Sequence, residues 1–238
     1  EGNSGTTNFI FTVTKTGATG VSASVNFAAA NGTAVGDTAC GAGIDFQNQS
    51  GTLTFAPADL SQTITVAVCG DVVYEANETF FVNLSGPTGA TISDAQGLGT
   101  ITNDDAAPAL TISDVTQLEG NSGTSVFTFT VTKTGATEVN ATVDFATANG
   151  MTFPATGSVA CGAGIDYQSQ TGTLTFLPAD PTKTVTVTVC GDTLDEDNET
   201  FFVNLTNSTN ATITDPQGLG TITDDDAAPT VSINDVST

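Results

Sequence analysis

Carboxylates gather at a few places in each half of this chain, and oxygens at that density are the donors from which proteins hold a hard divalent cation. The first half offers Glu1, then Asp45 in Gly43-Ile44-Asp45-Phe46, then Asp71, Glu75 and Glu78, and finally Asp104 and Asp105 behind Asn103. The second offers Glu119, Asp166, the run Asp192, Asp195, Glu196, Asp197 and Glu199, and the triplet Asp224, Asp225 and Asp226. Against 26 acidic residues stand three cationic side chains, Lys15, Lys133 and Lys183, too few to neutralise them by ion pairing. Two carboxylates about 4 Å apart repel by about 1 kcal/mol in water and by about 4 kcal/mol near a protein surface. If these loops meet at one end of a domain, the accumulated repulsion is relieved by a cation. Calcium takes roughly six to eight oxygens in flexible geometry, whereas magnesium demands a tighter octahedron and keeps its waters. The alternative is that each acidic run is simply a solvated loop.

The rest of the composition narrows the chemistry. Net charge is −23, and histidine and tryptophan are absent. Binding to DNA, RNA or an anionic membrane face needs lysines and arginines against phosphate, so this balance argues against all three. Without histidine there is no Ser-His-Asp or Cys-His constellation. Acid pairs could serve a glycosidase, but here they recur as duplicated loop clusters, and the chain reads as a non-enzyme. No apolar run approaches the roughly 20 residues of a spanning helix. No charged-then-apolar leader opens the sequence, so a signal peptide is expected to have been removed or to lie outside it. The four cysteines form two equally spaced pairs, Cys40/Cys69 and Cys161/Cys190, each cysteine followed by glycine. With neither histidine nor a CxxC, zinc is disfavoured. One disulfide per half is expected, contributing about 3–4 kcal/mol by chain entropy and implying an oxidising, extracytoplasmic setting. Two buried free thiols per half are the alternative.

The elements that must position these groups are written twice. Glu1-Gly2-Asn3-Ser4-Gly5 returns at Glu119 to Gly123, and Asn77-Glu78-Thr79-Phe80-Phe81-Val82-Asn83-Leu84 returns letter for letter at Asn198 to Leu205. A period of this length means two copies of a whole domain, each large enough to bury its own core. Apolar and polar residues alternate in short bursts: Phe9, Phe11 and Val13; Val21, Ala23, Val25 and Phe27; Leu53 and Phe55; Ile64, Val66 and Val68; Phe80, Val82 and Leu84; Leu98 and Ile101. Period two in β-branched and aromatic residues, punctuated by Gly and Asn clusters, predicts half-buried strands. The fold class expected is all-β: two tandem antiparallel β-sandwiches of about seven strands each.

The expected boundaries are residues 1–105 for the first domain, 106–108 for a short stiff linker and 109–226 for the second. Asp104-Asp105-Ala106-Ala107-Pro108 returns at Asp225-Asp226-Ala227-Ala228-Pro229. Beyond it, Thr230-Val231-Ser232-Ile233-Asn234-Asp235-Val236 matches the opening strand Ala109-Leu110-Thr111-Ile112-Ser113-Asp114-Val115. Residues 227–238 therefore read as the opening strand of a further repeat, while the first domain lacks its own. Two arrangements follow. Either the neighbours are further repeats of a longer array, or the tail of one molecule completes the first domain of the next. The second contact is heterologous and propagates head to tail into a filament.

Taken together, Glu-Gly-Asn-Ser-Gly, Ala-Gly-x-Asp-(Phe/Tyr), Gly-Asp-x-x-x-Glu-x-Asn-Glu-Thr-Phe-Phe-Val-Asn-Leu and the closing Gly-Thr-Ile-Thr-(Asn/Asp)-Asp-Asp resemble the Calx-β domain of sodium–calcium exchangers, integrin β4 and bacterial surface proteins. The resemblance covers nearly the whole chain. It implies an immunoglobulin-like sandwich with calcium held by end loops. Its ligands would fall at Glu1, Asp45, Asp71, Glu75, Glu78, Asn103, Asp104 and Asp105, with a main-chain carbonyl at Val73. In the second copy they would fall at Glu119, Asp166, Asp192, Glu196, Glu199, Asp224, Asp225 and Asp226, with the carbonyl at Leu194. Gly70 and Gly191 stand where the exchanger-type site carries an acid, and the first copy has Tyr74, Ala76 and Asn103 where the second has Asp195, Asp197 and Asp224. The second domain is therefore expected to bind calcium more tightly. Many family members bind none, which leaves a plain structural sandwich as the alternative. The function expected is a calcium-stabilised structural or adhesive repeat outside the cell, whose partners are neighbouring repeats or copies of itself. A self-assembling filament subunit and a calcium-sensing regulatory module are the other readings, the latter disfavoured by the cysteine pairs.

Overall fold

Thr, Ser and Asn alternating with Val, Ile and Phe set one side chain toward each face of a pleated strand, and the computed structural model is built from such strands throughout. It describes residues 1–236, and no helix occurs among them. The expected tail positions Ser237 and Thr238 lie outside the described residues. The chain divides into one unit of Glu1–Ala106 and a second beginning at Ala107.

In the first unit the strands are β1 (Gly5–Thr14), β2 (Ala23–Asn31), β3 (Gly36–Asp37), β4 (Phe46–Gln47), β5 (Ser50–Phe55), β6 (Ser61–Gly70), β7 (Glu78–Thr88) and β8 (Gln96–Ile101). They form two sheets, β1-β6-β4-β3 and β5-β2-β7-β8. The second unit has β9 (Ala109–Ile112), β10 (Val115–Leu118), β11 (Gly123–Thr134), β12 (Ala141–Asn149), β13 (Gly157–Ser158), β14 (Tyr167–Gln168), β15 (Thr171–Phe176), β16 (Thr182–Gly191), β17 (Glu199–Thr209), β18 (Thr212–Ile213) and β19 (Gln217–Thr223). Its sheets run β13-β14-β16-β11-β9-β18 and β10-β19-β17-β12-β15. The long pairings are antiparallel, as expected of a sandwich, but the opening strand of the second unit changes sheets at Ser113-Asp114. There β9 lies antiparallel to β11, and β10 lies parallel to β19.

Both cores are built on aromatic stacks. Phe46 lies on Phe80 with ring centroids 4.7 Å apart and an interplanar angle of 22°, and Tyr167 lies on Phe201 at 4.7 Å and 19°. Stacks of this kind add about 0.5–1.5 kcal/mol to what burial alone supplies. Tyr167 keeps its hydroxyl satisfied by donating to Asn149 Oδ1 at 2.7 Å. Two cysteine pairs are joined, Cys40–Cys69 and Cys161–Cys190, with Cα atoms 5.7 Å apart in each, so the free-thiol alternative falls. Each ties the loop ahead of β4 or β14 to the end of β6 or β16.

Two expectations need correction. Val21 precedes β2 and is exposed, and Leu98 in β8 is 59% exposed. The inward positions of β8 are Gly97, Gly99 and Ile101, because Phe11 and Phe80 press onto the glycines. A Cβ on Gly97 would sit 2.9 Å from Phe11, and one on Gly99 2.4 Å from Phe80. Among the described residues Thr230–Val236 is paired with no sheet, and Val231 and Ile233 are 98% and 94% exposed.

Candidate metal centre

The Glu-Gly-Asn sequence just ahead of β1, and again just ahead of β11, works as a clasp onto the closing aspartates. Gly2, at φ 94°, donates its N–H to Asp104 Oδ1 at 2.9 Å, and Asn3 Nδ2 donates to Asp105 Oδ1 at 2.7 Å. The second unit repeats this with Gly120, at φ 88°, donating to Asp225 Oδ1 at 3.0 Å and Asn121 Nδ2 donating to Asp226 Oδ1 at 2.6 Å. Only glycine holds a positive φ at no steric cost. The clasp also lies hard against the end of β6 or β16. A Cβ on Gly70 would stand 1.9 Å from the Gly2 carbonyl oxygen, and one on Gly191 2.0 Å from that of Gly120. Here is the reason for the departure seen in the sequence: no side chain, acidic or otherwise, fits at these two positions. Sequence reasoning recorded the glycines as lost ligands and missed that they admit the loop carrying Glu1 and Glu119. The signal was present in both copies, as Cys-Gly-Asp at the strand end opposite Glu-Gly-Asn.

The second anchor is the aspartate beside the disulfide. Asp45 is 8% exposed. Its backbone N–H donates to Val35 O at 2.9 Å and its carbonyl accepts from Cys69 N at 2.8 Å, while its Oδ2 accepts from Val35 N at 2.6 Å. Asp166 is held alike, by Thr156 N–H on Oδ2 at 2.5 Å and by Cys190 N–H on its carbonyl at 2.8 Å. The third anchor is the turn that leads from β6 to β7, and from β16 to β17, in the opposite sheet, where Asp71 Oδ1 accepts from Val73 N and Asp192 Oδ1 from Leu194 N, both at 2.7 Å. Asn77 and Asn198, overlooked as site residues, cap the closing segment by accepting from Asn103 N and Asp224 N at 3.1 Å.

These anchors bring carboxylates together in two clusters per unit. Glu1, Asp104 and Asp105 present oxygens all within 4.8 Å of one another, and so do Asp45, Glu75 and Glu78. In the second unit the groups are Glu119, Asp224 and Asp226, and Asp166, Glu196 and Glu199. Asp71 and Asp192 stand outside these tight groups, engaged in their turns. So does Asp225, whose Oδ1 takes the Gly120 N–H. Val73 and Leu194 lie at the turn with their N–H groups in use. Asp195 and Asp197 are exposed and join neither group. Asn103 is a bridge where Asp224 is a charge: its Oδ1 accepts from Glu75 N at 3.1 Å and its Nδ2 donates to Asp105 O at 3.2 Å.

The electrostatics are those of crowded, partly desolvated acids. Burial pushes the Glu119 carboxyl up to about 7, and Glu196, Asp192, Asp224 and Asp226 add to the effect. Burial pushes Glu199 up to about 8, with the hydrogen bond and charge of Asp166 next and then Glu196 and Glu119. Glu196 and Asp226 are raised as well, again first by burial. In the first unit burial raises Glu1, helped by Asp105, Asp71 and Asp104, while the Gly2 N–H lowers Asp104. Among the described residues, three carboxylate oxygens are buried without a hydrogen-bond partner: Glu1 Oε1, Asp105 Oδ2 and Asp226 Oδ2. A buried acceptor left unsatisfied costs about 1–3 kcal/mol, more when charged. An all-oxygen set of this kind, without sulfur or imidazole, fits a hard cation such as calcium. The residues that would hold it are the four clusters.

A model of the Calx-beta domain matches residues 2–107 and again 103–227. Sodium/calcium exchanger 1 of Canis lupus familiaris is 28% identical over 201 residues, covering 76% of this chain and 19% of the exchanger. Sodium/calcium exchanger 2 of Homo sapiens is 26% identical over 178 residues, covering 69% of this chain and again 19% of the relative. The chain thus spans about a fifth of the length of these curated relatives. Among solved structures, the calcium binding domain CBD12 of CALX1.1 is 23% identical with a TM-score of 0.38, covering 84% of this chain and 73% of that one. The apo form of the Calx CBD1 domain is 22% identical with a TM-score of 0.42, covering 51% of this chain and all of the other. With both halves matched by the family model, the chain belongs to the Calx-β family and carries two of its domains in tandem.

Proposed function

We propose that this chain is a calcium-stabilised, non-enzymatic repeat module of an extracytoplasmic array, with neighbouring repeats as its partners. One observation carries the reading: in each unit, carboxylate oxygens are buried in an acidic cluster without a hydrogen-bond partner. Calcium would satisfy them and cancel the mutual repulsion of the cluster. The two disulfides support an oxidising compartment and so weigh against the cytosol. The duplicated, histidine-free clusters support a binding role over catalysis. Asp224 in place of Asn103 gives the second unit an additional charge, which supports tighter binding there.

A calcium-sensing role is the second reading, favoured by the similarity to two sodium/calcium exchangers. The test is calorimetric titration of the chain with calcium, repeated on Asp105→Asn and Asp226→Asn. Saturable binding is expected, weakened at one class of site by each substitution and more strongly by Asp226→Asn. Because a ligand of the native state stabilises by mass action, about 2.7 kcal/mol at one hundred times Kd, the melting temperature should rise with calcium. No heat and no thermal shift in millimolar calcium would refute the proposal.

A further inference from the structure

The ladder between β17 and β19 ends at Glu199, whose register partner is Ile222. Asp224 lies beyond the end of β19, where its N–H would have to look to water, and the Asn198 side chain takes it instead, Oδ1 accepting at 3.1 Å. On the other side of the same strand end, Thr223 O accepts from Glu119 N at 3.2 Å. Asp224 Oδ1 in turn accepts from Asp226 N at 3.4 Å. Glu119, Asp224 and Asp226, which make up one cluster, therefore all hang from the two residues that follow Ile222. The support is firm, because β17 is anchored in the core by Phe201 and Val203, both fully buried. Asn198 also directly precedes Glu199, a member of the other cluster. The first unit repeats the arrangement: Glu78 pairs with Ile101, and Asn77 Oδ1 accepts from Asn103 N at 3.1 Å. There the Asn103 side chain extends the hold to Glu75 N and Asp105 O.

We propose that Asn198, and Asn77 in the first unit, are positioning residues for the bound cation: each fixes the closing acidic segment of one cluster to the strand that carries a glutamate of the other. The assignment rests on the calcium reading above. Oxygen ligands hold calcium at about 2.3–2.6 Å, so a closing segment free to drift by about 1 Å is lost to coordination. The residue type suits the task. An amide oxygen accepts the N–H without adding a further negative charge to a crowded acidic end. The competing account is that the bond merely strengthens strand pairing. Its measure is Asn204, whose Oδ1 accepts from Gln217 Nε2 at 2.7 Å between the same two strands, farther from the acids. A bond that only pairs strands acts on stability alone, whereas a positioning bond acts on affinity as well.

Calorimetric titration of the full chain with calcium, on wild type, Asn198→Ala, Asn198→Asp and Asn204→Ala, tests this. Asn198→Ala changes no charge, so any loss of affinity is positional. It should weaken one class of second-unit site by about three- to tenfold, the loss that follows removal of one net hydrogen bond. Asn198→Asp keeps an acceptor oxygen and should bind at least as well as wild type. Asn204→Ala should lower the melting temperature and leave the affinity alone. A second measurement needs no metal: in chelator, hydrogen exchange at the Asp224 amide should be at least about threefold faster in Asn198→Ala, with the amides of Phe201 and Val203 unchanged. Calcium affinity equal in wild type and Asn198→Ala, Asn198→Asp as weak as Asn198→Ala, an equal loss in Asn204→Ala, or unchanged exchange at Asp224 would each overturn the assignment. A wild type that takes up no calcium would instead overturn the calcium reading itself, and would leave Asn198 a capping residue only.

Discussion

Gly191→Ala adds one methyl group at the point where the Glu119–Gly120 loop crosses β16. The new Cβ would stand 2.0 Å from Gly120 O and 2.9 Å from Glu119 O, and both obstacles are backbone. To restore a contact of about 3.2 Å the loop must withdraw by about 1 Å, which is the distance on which metal coordination turns. The withdrawal strains the bond from Gly120 N to Asp225 Oδ1 and carries Glu119 away from Asp224 and Asp226. Overpacking of this kind costs about 1–3 kcal/mol of stability. Asp166, Glu196 and Glu199 are anchored elsewhere and should keep their geometry. Calorimetric titration should therefore show one class of second-unit site weakened by at least about tenfold, equivalent to about 1.4 kcal/mol, with the other retained. Gly191→Ala with wild-type calcium affinity and wild-type melting temperature would refute the view that glycine is there to admit the loop.

Three further outcomes follow. Glu119 and Glu199 titrate near 7 and 8 in the folded second unit instead of near 4.5, so the metal-free folded state holds extra protons. The stability they contribute is full below about pH 4.5 and is lost as pH rises through 7 to 8. Melting of the chelator-treated chain should fall over that window, and saturating calcium should flatten the fall; a metal-free profile flat from pH 5 to 8.5 would contradict this. Calcium binding at pH 6 should release protons, seen as a binding heat that depends on the ionisation enthalpy of the buffer; equal heats in all buffers would count against it. Replacing Cys40 and Cys69 by serine should cost the first unit about 3–4 kcal/mol in denaturant unfolding, and should also weaken calcium there, because Asp45 O takes the Cys69 N–H; unchanged binding would separate the bridge from the site.

Much of the fold was legible in the residues, and the exceptions have physical causes. Phe80, Val82 and Leu84 announce β7 because side chains on a two-sided strand alternate, and the equal cysteine spacing marked both bridges. β8 misled because its inward face is glycine: Phe11 and Phe80 fill the space, and the one large residue nearby, Leu98, points outward. The two-residue strands β3 and β4 carry no periodicity to read, and the change of sheet at Ser113-Asp114 depends on partners far along the chain. At the site, the acidic residues and their grouping by loop were visible. The division of labour within Asp224-Asp225-Asp226 was not, because it depends on which carboxylate the Gly120 N–H captures. Nor was the role of Gly70 and Gly191, whose reason is a backbone approaching from the opening loop.

The central claim is that carboxylates from separate loops of each unit share a bound cation. A crystal structure of the chain grown in calcium, with anomalous diffraction collected above the calcium background, tests it most directly. The account predicts anomalous peaks within about 2.3–2.6 Å of Asp226 Oδ2 and Glu119, and of the Asp166, Glu196 and Glu199 oxygens. Clusters that turn outward to water in such crystals, with no peak among them, would contradict it.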